Sequence, residues 1–285
     1  MSTTPRRNAH AGDTVNATLS HVLMAIWSIV VIVPFLWTVL SSLKTTKQIL
    51  SDPFGLPDLP HWENYANAWN GAGIGRFFFN TLIVVVCACF LVMVLGAMLS
   101  YVLARFRFLG NKVIYNVMLA SLMFPMFLAI VPLFFILQNM GILNTLPGLI
   151  IVYVAFALPF TMFFLYSFFR QLPQDIYEAA TVDGAGEWRT FFNVMLPMAA
   201  PGLASVAIMN FVGLWNQYLL PVVLNSKKEN NVLSQAMAGF ASQAGYAVDF
   251  GALFAAAVIT VLPVFIVYVL FQRQLQGSVT QGTFR

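Results

Sequence analysis

The sequence predicts an all-α integral membrane protein with six transmembrane helices, and three observations carry that expectation. Of 285 residues, 60% are hydrophobic and only 8% are Asp, Glu, Lys or Arg. A water-facing surface needs roughly 25% charged residues, so this chain cannot solvate itself as a soluble domain. The mean hydropathy is +0.81. The charges also fall in clusters, separated by uncharged stretches long enough for helices of about 20 residues to cross a bilayer.

Residues 14 to 43 hold no charged side chain, and their apolar part from Val22 to Leu43 fits a first span with Pro34 inside it. That run is too long for a signal-peptide core, and no small-residue cleavage pattern follows it. Residues 77 to 104 make the second span. Residues 113 to 169 are uncharged but too long for one helix, and Gly141, Asn144, Pro147 and Gly148 divide them into spans three and four. A fifth lies between Pro201 and Pro221, and a sixth over 250 to 272. Prolines 34, 125, 132, 159, 201, 221 and 263 fall within or beside spans, as hinges or as static kinks.

This gives a tail over 1–21, a membrane domain over 22–272 and a second tail over 273–285. With the N-terminus inside, Arg6, Arg7, Arg105, Arg107, Lys112, Arg170, Arg189, Arg273 and Arg285 face the cytoplasm. They outnumber Lys44, Lys47, Arg76, Lys227 and Lys228 outside, as positive-inside orientation requires. The outer segment 44 to 75 sets Pro53, Pro57 and Pro60 beside Trp62, Tyr65 and Trp69, a composition suited to an ordered cap. The second outer segment, 222 to 249, holds the polar run Asn225 to Asn231 with Lys227, Lys228 and Glu229.

The net charge of +4 is scattered and forms no patch for nucleic acid. Cys87 and Cys89 lie two apart in an apolar run and point to opposite sides of a helix, so they are read as small hydrophobes. His10, His21 and His61 are isolated, and neither a metal site nor a cofactor is expected.

The inner loop over 171–197 carries Asp175, Glu178, Asp183 and Glu187, four of the ten acids. Pro173 can start a helix on which Ile176, Ala179, Ala180 and Asp183 share a face and Glu178 points away. Gly184 then allows a corner at positive φ, with a second helix from Glu187 to Pro197.

These residues resemble the EAA signature of binding-protein-dependent ABC importer permeases: Glu178-Ala179-Ala180, Gly184, then Val194, Leu196 and Pro197, with Val where Ile is usual. Similarity extends to Asn80-Thr81-Leu82, Leu158-Pro159-Phe160, the run from Phe168 to Pro173, Trp215-Asn216 and Phe271-Gln272-Arg273. It looks like the carbohydrate branch, similar to the smaller six-span permease of maltose-type systems, which implies a type I importer (MetI-like) fold. The resemblance implies that the loop is a coupling helix held by Glu178, Ala179, Ala180, Asp183, Gly184 and Pro197. It implies as partners a second homologous permease, two cytoplasmic ATPase subunits and an extracytoplasmic sugar-binding protein, at a bacterial plasma membrane. The chain has no G-x-x-x-x-G-K-[ST] loop, so ATP hydrolysis is assigned to those partners and not to this subunit.

Span five is the most polar in its middle. Asn210, Trp215, Asn216 and Gln217 offer amides and an aromatic face suited to a sugar, although helix-to-helix bonding accounts for them equally well. An ion-coupled carrier needs titratable groups at membrane depth, and the spans contain no Asp, Glu, Lys or Arg. A membrane enzyme lacks an assembled nucleophile or metal set.

Overall fold

The computed structural model describes residues 9–242 and 249–280, with side chains over 16–242 and 249–272. Arg6, Arg7, Arg285 and the Arg273 side chain, counted for orientation, lie outside the described residues. So do 1–8 and 281–285 of the two expected tails. The first helix is α1 (Ala9–Ser41). It starts before the charge-free stretch, because loss of charge marks where lipid is tolerated and not where backbone hydrogen bonding begins.

The outer cap follows, with α2 (Thr46–Ser51) and α3 (Glu63–Ala66), the latter running into a π turn, Asn67–Gly71. Next come α4 (Ile74–Arg105), α5 (Asn111–Met123), α6 (Met126–Asn139) and α7 (Leu146–Gln171). The inner loop holds α8 (Gln174–Val182), α9 (Glu187–Thr190), a π turn (Phe191–Met195) and α10 (Leu196–Met198). The chain ends with α11 (Ala200–Trp215), α12 (Leu219–Leu224), a 3-10 turn (Lys228–Asn230), α13 (Leu233–Ser242) and α14 (Phe250–Thr280).

Four helices are long and apolar enough to cross alone: Asn16–Ser41, Ile74–Arg105, Leu146–Gln171 and Phe250–Gln272. The other two expected spans are broken. α5 and α6 meet at 107°, and the 187–198 segment meets α11 at 77°. Six spans result when each bent pair counts as one. The third is therefore not one continuous helix. Pro125 has no N–H to continue the ladder, and its ring pushes Phe124 to an extended conformation, φ −76° and ψ 120°. Pro34, Pro132, Pro159 and Pro263 sit inside helices that continue through them. The fifth span ends at Trp215, short of Pro221.

Helices α4 and α7 form the central pair. Gly96 permits their approach, since a Cβ there would come within 2.5 Å of Thr161 Cγ2. Nearby, Ser100 Oγ donates to the Met162 carbonyl across the contact at 3.0 Å. α11 closes against both, and α14 packs on α11 through Trp215 Nε1, which donates to the Thr260 carbonyl at 3.1 Å. α1 lies on α14, with Trp37 edge-on to Phe254 at 5.1 Å. From Asn16 to Leu36 its side chains are exposed all round. Two clusters fill the interior among the described residues: one toward the cap around Val84, Leu149, Trp215 and Leu233, another toward the 171–197 loop around Tyr101, Phe169, Phe191 and Met195. Lipid tails are as apolar as leucine, so these clusters hold by close packing and not by escape from water.

The cap is ordered, as its composition predicts. Asn64 Nδ2 donates to the carbonyls of Ser42 and Lys44, both at 2.9 Å, and the buried Lys44 ammonium donates to the carbonyls of Asp52 and Pro53. Thr46 Oγ1 accepts from the Phe250 N–H, tying the cap to the start of α14.

Candidate functional site

The inner corner is built by a helix stop. Gly184 takes φ +76°, a left-handed conformation in which an L side chain is strained. Its N–H donates to the Thr181 carbonyl, and the Ala185 N–H donates to the Ala180 carbonyl, both at 3.0 Å. Those two bonds form a Schellman motif, so the last alanine of the Glu178-Ala179-Ala180 run supplies the acceptor that ends its own helix. Gly186 then caps α9 in an extended conformation. Glu187 lies in the first turn of α9, where a negative charge suits the helix dipole.

One side-chain bond closes the corner: Tyr177 Oη donates to Glu187 Oε1 at 2.7 Å. Donation to that carboxylate raises the Tyr177 pKa above its ordinary value. Glu178 is exposed and accepts from Gln174 Nε2 at 3.0 Å. Ala179, Asp183 and Gly184 are also exposed, Ala180 is half-buried, and Asp183 is the C-cap of α8. No residue of α8 is buried. Pro197 is exposed on α10, beyond the π turn and apart from the corner.

The sequence reading missed the apolar part of this surface. Val182 and Trp188 are exposed at 86% and 64%, and Trp188 stacks on Phe192 with rings 6.0 Å apart. Their hydrophobicity was visible, but only the corner turns them outward.

Span five divides its polar residues between two surfaces. Asn210 is buried, and its Nδ2 donates to Thr161 Oγ1 at 2.8 Å, joining α11 to α7. Trp215 is buried and bonded to α14. Asn216 is exposed, with its Nδ2 donating to the Val212 carbonyl of its own helix. Gln217, half-buried, lies beyond the helix end beside Met126, 3.8 Å from its sulfur. Met209, Gly213 and Asn216 form one exposed stripe along α11. Asn210 and Trp215 do not share it.

At the opposite end from the corner, a cavity of about 780 Å³ is lined by Asn67, Asn231 and Gln235 together with Phe77, Phe240 and Asp249. Sequence reasoning did not assemble these residues, which come from four separate segments. Beside the cavity, a network of amides fixes the 225–231 run. Asn80 Nδ2 donates to the carbonyls of Glu229 and Asn231 at 3.0 and 2.9 Å. Asn230 Nδ2 donates to the Asn144 carbonyl, the Ser226 N–H donates to Asn144 Oδ1, and the Leu233 N–H donates to Thr81 Oγ1. Lys227, Lys228 and Glu229 remain exposed.

A family model described as "Binding-protein-dependent transport system inner membrane component" matches residues 92–281. A diacetylchitobiose uptake system permease protein of Streptomyces coelicolor is 64% identical over 279 residues, covering 98% of this chain and 92% of the relative. A trehalose transport system permease protein of Mycobacterium tuberculosis is 32% identical over 254 residues, covering 89% and 92%. Among solved structures, a chain of a bacterial ABC transporter involved in alginate import superposes with a TM-score of 0.79 at 20% identity, covering 95% of this chain and 99% of its own. A chain of the inward-facing MetNI methionine ABC transporter reaches 0.55 at 20% identity, covering 72% and 95%. At these identities the superpositions establish the fold, that of ABC importer permeases.

Proposed function

Because the chain belongs to the family of binding-protein-dependent transport system inner membrane components, we propose that it forms half of the path of a sugar importer and is driven through the inner corner. ATP hydrolysis is the work of partner ATPase subunits, and this subunit is not an enzyme. The cargo reading rests on the relatives: the one at 64% identity is named for diacetylchitobiose and another for trehalose.

The observation that carries the coupling role is the Schellman corner at Gly184. It holds two short helices at a fixed angle outside the membrane and turns Glu178, Ala179 and Asp183 outward beside Val182 and Trp188. A docking helix needs that combination: a rigid local shape, small residues that allow close approach, and apolar side chains that gain by leaving water. Pro197 shapes the return to span five. The termini and this corner face the cytoplasm, where two ATPase subunits dock.

A second, homologous permease covers the exposed stripe of α11, so Asn216 and Gly213 line the shared path with Gln217 at its outer end. Asn210 and Trp215 hold that wall from behind. Sugar arrives from an extracytoplasmic binding protein over the exposed Lys227, Lys228 and Glu229, and the cavity lined by Asn67, Asn231 and Gln235 offers amide donors and acceptors to its hydroxyls. The test is co-expression with a second permease and two ATPases, followed by ATP-dependent uptake of labelled diacetylchitobiose into proteoliposomes with the binding protein outside. Uptake by this chain alone, without an ATPase, would overturn the reading.

A further inference from the structure

Where α4 and α7 reach their inner ends beside the start of α5, a groove of about 1180 Å³ opens. Arg105, Arg107, Lys112 and Arg170 line it, four of the 14 Lys and Arg residues of the chain. Among the described residues no Asp or Glu lines the groove, and none of these four cations has an ion-pair partner.

Two of the cations, Arg105 and Arg170, are held in place. Arg105 Nη2 donates to the carbonyl of Leu172, the C-cap of α7, at 2.6 Å, while its Nε is buried without a partner. The Arg170 guanidinium lies over the Tyr166 ring at 5.7 Å, and that ring packs on Tyr115 at 4.6 Å. Asn111 Nδ2 donates to the carbonyls of Leu103 and Phe106, stapling the turn between α4 and α5. The N-terminus of α5, a helix of 13 residues, opens into the same groove and adds its partial positive charge. Four cations, two of them held in place, and a helix N-terminus outnumber the two carboxylates, Glu178 and Glu187, that reach the lining through Gln174 and Tyr177, and the surplus positive charge favours an anion.

The rim identifies the kind of anion. Phe108, Leu109 and Val113 border the groove and are exposed, Leu109 completely. They sit where apolar spans give way to basic residues, at the depth of lipid headgroups. A soluble anion would satisfy the cations and leave these apolar side chains in water. We propose that the groove binds the phosphate of an anionic membrane lipid, whose acyl chains lie over Phe108, Leu109 and Val113.

The experiment uses the intact permease–ATPase complex in detergent, with native mass spectrometry counting retained phosphatidylglycerol against phosphatidylcholine. Preferential retention of phosphatidylglycerol is expected. The double change R107Q/K112Q should weaken that retention about thirtyfold. Lys47→Gln, at the outer end, should leave it unchanged. Glycerol 3-phosphate at matched concentration should fail to displace the lipid. Equal retention of the two lipids by the wild-type complex overturns the proposal, and that comparison decides the matter even if the double variant does not fold. Displacement by glycerol 3-phosphate would make this a site for a soluble anion. Loss of ATPase subunits from the double variant, with lipid retention unchanged, would make it a docking surface; either result also overturns the proposal.

Discussion

The outer rim and the inner corner are both short connecting segments, yet they are ordered in opposite ways. At the rim, Asn80, Asn144, Asn230 and Gln235 direct side-chain amides onto backbone groups of distant segments. The rim is therefore complete within one chain. At the corner, order is local: two backbone bonds at Gly184, one bond from Tyr177 to Glu187, and a helix with no buried residue. The rim's shape is fixed by bonds between distant segments, whereas the corner has shape but faces that stay unburied among the described residues.

The largest effect should come from the corner's backbone. Gly184→Val meets no side-chain obstacle, because nothing lies within 4 Å of a Cβ there, so its cost is conformational. At φ +76° that cost is about 1–3 kcal/mol. Uptake should be abolished and ATP hydrolysis should lose its response to the loaded binding protein, while membrane insertion persists. Asn tolerates the left-handed region, so Gly184→Asn should recover much of both activities. Equal loss in the two variants would show that the corner depends on the absence of a side chain and not on backbone angle.

Next, Asn80→Ala removes two bonds that hold the 225–231 run, at about 1 kcal/mol each. The purified complex should melt at a lower temperature, and stimulation by the binding protein should weaken with it. Unchanged melting would mean the rim is held chiefly by Asn144 and Thr81.

The smallest expected effect is that of Glu178→Ala. It removes an exposed carboxylate and one i, i+4 bond from Gln174, so coupling should fall about twofold with insertion intact. A loss as complete as that of Gly184→Val would mean that Glu178 makes a buried contact with the ATPase.

The corner was legible because each signal acts locally: a proline that starts a helix, small residues on one face, a glycine that ends it. The membrane character was legible because charge at bilayer depth is costly. Hydropathy, however, does not record direction, and so the 107° turn at Phe124 and Pro125 reads as an uninterrupted apolar run. The same limit applies to Asn210 and Asn216. Composition marks both as polar within a span, but rotation about the helix sets one against Thr161 and the other outward. Lys44 read as an outer surface cation; the turn at Asp52 and Pro53 folds back to bury it, a return that no pattern within its own helix encodes.

The placement of α1 bears on how the protein is made. Trp37 packs edge-on against Phe254 of α14, so α1 meets the helix it lies on only once that much later segment has emerged. Before then only the cap holds it, through the Phe54 ring at 6.3 Å from that of Trp37 and the Pro53 carbonyl that accepts the Trp37 Nε1–H at 2.7 Å, and docking on α14 closes a loop over the intervening helices. During synthesis α1 is held at its cap end while the side chains from Asn16 to Leu36 keep their contact with lipid. The contact between α1 and α14 is therefore among the last long-range contacts that the chain can make.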